Sequence, residues 1–142
     1  MSADPTPVMN VEQRRDGSLR ICSDSPWEAM AGYARAVIDG DWVLVSGTVG
    51  VEADGSFAPG AERQARRALD IIAAALAAAG SGPDLVRRVR VYVPDFNDVP
   101  IVSQVLSERL GAVRPANTTI CSPLAVPQAK VELEVTARRR AA

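Results

Sequence analysis

The sequence predicts an α+β fold: a mixed sheet with two helices packed on one face. Three observations predict it. Lys130 to Thr136 alternates so regularly that Val131, Leu133 and Val135 share one side while Lys130, Glu132, Glu134 and Thr136 share the other, the pattern of a strand with one buried face. From Ala61 the apolar residues instead recur at helical spacing. Finally, the segments run strands, long helix, strand, helix, two strands, so two amphipathic helices can cover just one face of the sheet and leave the other to water or to another subunit.

Taken in order, residues 1–10 carry Pro5 and Pro7 without a periodic apolar pattern and are expected to form a loose tail. Asp16-Gly17, between Val11 to Arg15 and Ser18 to Cys22, reads as a type I′ hairpin turn. Ser25-Pro26-Trp27-Glu28 has capping-box spacing with Pro at the first helical position, which predicts one helical turn. Tyr33 to Ile38, Asp39-Gly40 and Asp41 to Val49 give the clearest hairpin signal, with Trp42, Leu44 and Ser46 on one face and Val43, Val45 and Gly47 on the other. Gly47 and Gly50 mark places of close backbone approach, and Asp54-Gly55 closes a further turn.

The long helix shows Ala61, Ala65, Ala68, Leu69, Ile72, Ala75, Leu76 and Ala79 on one face, with Glu62, Arg63, Arg66, Arg67 and Asp70 opposite and Gly80 as its stop. Val86 to Val93 is a strand with Val89, Val91 and Val93 on one side and Arg88, Arg90 and Tyr92 on the other. After the Pro94 to Asp98 turn, Asp98 is the N-cap of a second helix through Leu110, closed by Gly111, with Val102, Val105, Leu106 and Leu110 as its apolar stripe. Arg114 to Thr136 then gives a strand, a Pro-punctuated turn and the alternating strand.

Composition narrows the function. A length of 142 residues fits a single domain spanning 1–142. The net charge of −1 and 4% aromatic content leave neither a polyanion footprint nor stacking platforms, which argues against a nucleic-acid partner. The longest apolar run, Ile71 to Ala79, is too short for a membrane span, and the N-terminus lacks the build of a signal peptide, so a cytoplasmic location is expected. Cys22 and Cys121 form no metal or redox motif and read as free thiols.

With no histidine in the chain, acid–base chemistry falls to carboxylates, hydroxyls, amides, Tyr and backbone groups. Glu132 and Glu134 line up on one strand face. Glu132 reads either as a water-activating acid or as half of a cross-strand salt bridge to Arg88 or Arg90. On the residues alone Ser46 reads as a backbone-bonding hydroxyl at a strand end, Tyr33 as a packed sheet aromatic and Asn97 as a turn former.

The run R-P-A-x-T-T-I followed by V-E-L-E-V-T-A resembles the C-terminal signature of the Rid family, the reactive intermediate deaminases, whose usual form is P-A-R-S and then x-E-I-E-x-x-A. G-Y-A-R-A-V, V-L-V-S-G-T, Q-x-x-x-A-L-D and V-x-V-Y-V-P-D-F-N-D extend the likeness from about Ser25 to Ala137. The resemblance implies a chorismate-mutase-like fold, a homotrimer with a small-molecule cleft at each subunit interface, and cofactor-free hydrolysis of enamines and imines such as 2-aminoacrylate to a 2-keto acid and ammonia. It assigns Tyr33 and Ser46 to the cleft, Asn97 to its D-x-N-D loop and Glu132 to positioning water, and puts Thr119 in the place of a cysteine whose backbone amide helps hold that water.

Asn117 occupies the place of the arginine that clamps the substrate carboxylate. An amide offers neutral donors where guanidinium offers a charged fork, and losing such a charge-assisted bond commonly weakens binding by about 1.5 to 3 kcal/mol. The expected substrate therefore differs from the usual 2-imino acids, unless Arg90 or Arg88, on the Glu132 face, supplies the charge. The rival expectation is a trimeric ligand-binding protein without catalysis. An endoribonuclease, a label sometimes attached to this family, fits poorly with the missing histidines, the near-neutral charge and the scarce aromatics.

Overall fold

In the computed structural model, which describes residues 5–141, the alternating stretch becomes an inner strand of a seven-stranded sheet. The elements are Asn10–Gln13 (β1), Leu19–Cys22 (β2), Pro26–Ala31 (α1), Ala36–Asp39 (β3), Trp42–Val49 (β4), Ala61–Ala78 (α2), Val86–Val93 (β5), Val99–Leu110 (α3), Ala116–Cys121 (β6) and Glu132–Arg138 (β7). The sheet order is β1-β2-β3-β4-β7-β5-β6, antiparallel except for the parallel β5–β6 pair that α3 connects. This is the mixed α+β architecture that the sequence predicts.

The alternation sorts the two faces as expected. Leu133, Val135 and Ala137 of β7 are buried with Val43 and Val45 of β4 and Val89, Val91 and Val93 of β5, beneath α2 and α3. Ala65, Ala68 and Ala75 are fully buried, so α2 approaches the sheet on side chains no larger than a methyl group. Gly50 takes this furthest: a Cβ there would lie 2.1 Å from the Gln64 carbonyl oxygen. The α3 stripe of Val102, Val105, Leu106 and Leu110 is buried as predicted.

Local chemistry departs from the sequence reading in five places. The β1–β2 connection is a three-residue loop in which only Gly17 has positive φ, a type I turn with a bulge rather than the type I′ turn. The β3–β4 loop is Gly40-Asp41, one residue later than expected. Ser25 does not cap α1 through its side chain, because the buried Glu28 carboxylate turns back to the Ser23 amide and hydroxyl. Asp98 gives α3 no side-chain cap; Asp95 instead accepts from the Asn97 amide in a short 3-10 turn. Arg67, expected on the outer face of α2, is buried and donates to the Val51 and Pro5 carbonyls.

Of the predicted tail, residues 1–4 lie outside the described range, and Pro5 meets Arg67 as above. No helix among the described residues is long and apolar enough to cross a membrane.

Candidate functional site

The face of the sheet away from the helices carries the charged side chains. Paired residues across a sheet share a face, so the register builds two adjacent rows, Thr118–Arg90–Glu134 and Ile120–Tyr92–Glu132. Within them Arg90 pairs with Glu134 at 3.6 Å, and the Tyr92 hydroxyl donates to the same carboxylate at 3.3 Å. Of the partners the sequence allowed, Arg90 therefore takes the neighbouring carboxylate. Glu132 has no ion pair or hydrogen bond among the described residues.

A bulge in β4 shapes the ground beside it. Between the pairs Val45↔Val135 and Thr48↔Leu133 two residues, Ser46 and Gly47, stand against one. The bulge restores Thr48 to the buried face and brings Gly47 under the Glu132 side chain, where a Cβ would sit 2.1 Å from Glu132 Oε1. Ser46 donates through Oγ to the Ala34 carbonyl at 2.7 Å, fastening the bulge to the segment before β3.

That segment delivers Tyr33 and Arg35 to the same end of the sheet. Arg35 is buried, donates from Nη2 to the Gly47 carbonyl at 2.7 Å, and stands 5.7 Å from the centre of the Tyr33 ring. Partial burial pushes the Glu132 carboxyl above its usual range, the Arg35 charge pulls it back and the Glu134 charge adds to the rise. An unpaired, half-buried carboxyl raised toward neutrality suits proton transfer to and from water.

The remaining sequence-predicted residues lie elsewhere. Asn97 is exposed in the turn after β5, at the Glu132 end of the sheet. Asn117 and Thr119 pair with Val89 and Val91, hence face the helix side, opposite Glu132. There they line an open groove of about 310 Å³ with Ser103, Ser107 and Arg114, and Thr119 Oγ1 donates to Asn117 Oδ1 at 2.9 Å. Arg114, with positive φ of 53°, makes the turn from α3 into this groove.

One copy thus sets the Ser46–Gly47 bulge beside Glu132, brings Tyr33 and Arg35 to the same end of the sheet, places Arg90 one residue pair away, and leaves Asn117 and Thr119 on the other face. Sequence reasoning missed Arg35; its place between Tyr33 and the buried Ala36 was the available signal. Among the described residues, no three His, Cys, Asp or Glu side chains gather to hold a metal ion.

Comparison with known proteins bears on the family and the fold. Residues 23–139 match the family model described as Endoribonuclease L-PSP. An uncharacterized Streptomyces coelicolor protein is 36% identical over 102 residues, 71% of this chain and 76% of that protein. A Dermatophagoides farinae protein named 2-iminobutanoate/2-iminopropanoate deaminase is 29% identical over 104 residues, 72% of this chain and 81% of its own length. Among solved structures, a Mycobacterium tuberculosis member of the YjgF/YER057c/UK114 family superposes with a TM-score of 0.79 at 33% identity, covering 85% of this chain and 98% of its own.

Proposed function

The chain belongs to the endoribonuclease L-PSP family, the Rid or YjgF/UK114 proteins, and from that membership and the setting of Glu132 we propose that it hydrolyses a small reactive imine or enamine without a cofactor. The observation that carries this reading is the part-exposed Glu132 carboxylate, raised in pKa, in no ion pair among the described residues and resting on a glycine. In the proposed reaction Glu132 takes a proton from water as the water oxygen bonds to the imine carbon. The same proton then passes to the nitrogen to give a carbinolamine, and the carboxylate next carries the hydroxyl proton to that nitrogen as the C–N bond breaks, so that ammonia leaves and the oxygen remains as the carbonyl. Tyr33 and Ser46 flank the pocket and Asn97 stands at its end.

A homotrimer with clefts between subunits is part of the proposal. Two features support it: all six residues of the edge strand β6 are exposed, and Glu132 and Asn117 occupy opposite faces of one sheet. In such a cleft the Thr119 backbone of one copy would help hold the water above Glu132 of the next. Asn117 would present neutral donors, so the substrate differs from the usual 2-imino acids in how its acid group is held.

A second reading, a trimer that binds a ligand without turning it over, is favoured by the Asn117 acceptor being already engaged by Thr119. Ammonia release from freshly generated imines separates the two. Turnover that disappears in Glu132→Gln supports hydrolysis. No release from any imine tried, with ligand still bound, supports the binding protein.

A further inference from the structure

We propose that Arg35 is the cation that receives the anionic end of the ligand, so that the pocket selects small carboxylates from its Glu132 wall. This rests on the reading that the Glu132 pocket is the ligand site.

A buried guanidinium ordinarily has a carboxylate against it, because an unpaired charge away from water is costly. Six arginines more exposed than Arg35 meet carboxylates: Arg63 with Glu52, Arg66 with Glu108, Arg90 with Glu134, Arg109 with Asp70, Arg138 with Asp41 and Arg140 with Asp84, while the other buried arginine, Arg67, donates to the Val51 and Pro5 carbonyls. Arg35 is only 8% exposed, yet it is in no ion pair among the described residues. Its Nη2 donates to the Gly47 carbonyl, while Nε is buried with no hydrogen-bond partner among the described residues. A structural arginine placed to brace the bulge would need the first bond but not the stranded donor. Arg35 and Glu132 are both set against Gly47, Arg35 through its bond to the Gly47 carbonyl and Glu132 through the carboxylate that lies where a Gly47 Cβ would be, so the two side chains face one piece of backbone.

Arg90 is the rival cation on this face. Its charge is already set against Glu134, and Tyr92 donates to the same carboxylate. Arg35 alone combines burial, an unused donor and proximity to Glu132. A carboxylate there meets the guanidinium charge, and the Tyr33 ring, 40% exposed and 5.7 Å from the guanidinium carbon, offers an apolar face to the rest of the ligand.

The test is NMR titration of the full-length protein with butanoate and with butanamide, following the side-chain Nε–H signal of Arg35. Butanoate is expected to bind on the order of tenfold more tightly than butanamide and to shift that signal. Arg35→Gln should erase the preference and Arg35→Lys should retain part of it. If Arg35→Gln fails to fold, the lysine variant and the wild-type signal still decide. Equal affinity for acid and amide, a preference that survives in Arg35→Gln, or one lost only in Arg90→Ala overturns the proposal. Carboxylate selectivity without ammonia release would leave this inference standing and defeat the hydrolase; ammonia release without acid selectivity would do the reverse.

Discussion

Gly47 has no side chain at the place where Glu132 lays its carboxylate: a Cβ there would stand 2.1 Å from Oε1. The obstructing atom is the end of a flexible side chain, so Gly47→Ala should fold and lose about 1 kcal/mol or less, because alanine also restricts the unfolded chain. Glu132 must swing away, and imine hydrolysis should fall sharply. Gly50→Ala makes the contrast. Its Cβ would meet the Gln64 backbone oxygen at the same 2.1 Å, and a helix backbone yields only with the packing around it, so that variant should lose about 3 kcal/mol. Urea denaturation of both, with activity of Gly47→Ala, checks the pair; an active Gly47→Ala would refute the placement of Glu132.

Glu132→Gln should change how stability depends on pH. Burial raises the folded-state pKa of Glu132 above its ordinary 4.5, so the folded protein holds this proton more tightly than the unfolded chain. The stabilisation is fully present below 4.5 and is lost as pH rises through the folded value. Wild type should therefore lose ground to Glu132→Gln across that window, by a small amount because the group is half exposed. Melting temperatures of the two proteins from pH 3.5 to 7.5, about a unit below the ordinary carboxylate value to neutrality, give the answer. Parallel curves would mean that Glu132 titrates like a free carboxylate.

The faces of the sheet were legible in the sequence because alternation and helical spacing are dictated by burial: every apolar residue assigned to β5, β7 and the α3 stripe is inside. Turn and cap chemistry was less so, since Glu28 and Asp95 chose among nearby amides that spacing does not rank. Arg67 was misread for a related reason. It lies on the flank of α2, where the backbone of Val51 and Pro5 supplies acceptors that no local pattern announces. The site was half legible: alternation put Glu132 and Arg90 on the face away from the helices, but the bulge at Ser46 and Gly47 is set by pairing with β7, and it is this bulge that the buried Arg35 is bonded to.

Gln64 holds the approach to β7. It is fully buried, accepts from the Lys130 amide at 2.7 Å, and donates to the Ala58 and Gln128 carbonyls at 2.7 and 3.3 Å. Gln64→Leu keeps the volume and strands those backbone groups, so it should cost about 3 kcal/mol, since each buried group left unpaired is worth about 1 to 3. Because Lys130 precedes Glu132 by two residues, activity should fall beyond what the lost stability explains. Chemical denaturation gives the first quantity and single-turnover kinetics at full folding gives the second. A loss below about 1 kcal/mol would mean that water replaces the amide.

Complementation between copies tests the shared cleft. Glu132 and Asn117 face opposite sides of one sheet, so a cleft using both must take them from different subunits. Asn117→Asp puts a negative charge beside an anionic ligand, and Glu132→Gln removes the acid; each variant alone should be nearly inactive. In randomly mixed trimers, roughly a quarter of the clefts would join an unaltered Asn117 wall to an unaltered Glu132 wall, given cyclic symmetry. Mixing the two variants after partial unfolding and refolding should therefore restore activity to about that fraction of wild type. Recovery would show that neighbouring chains build one site. A mixture as inactive as its components, with sedimentation confirming mixed trimers, would place the whole reaction within a single copy and remove Asn117 and Thr119 from it.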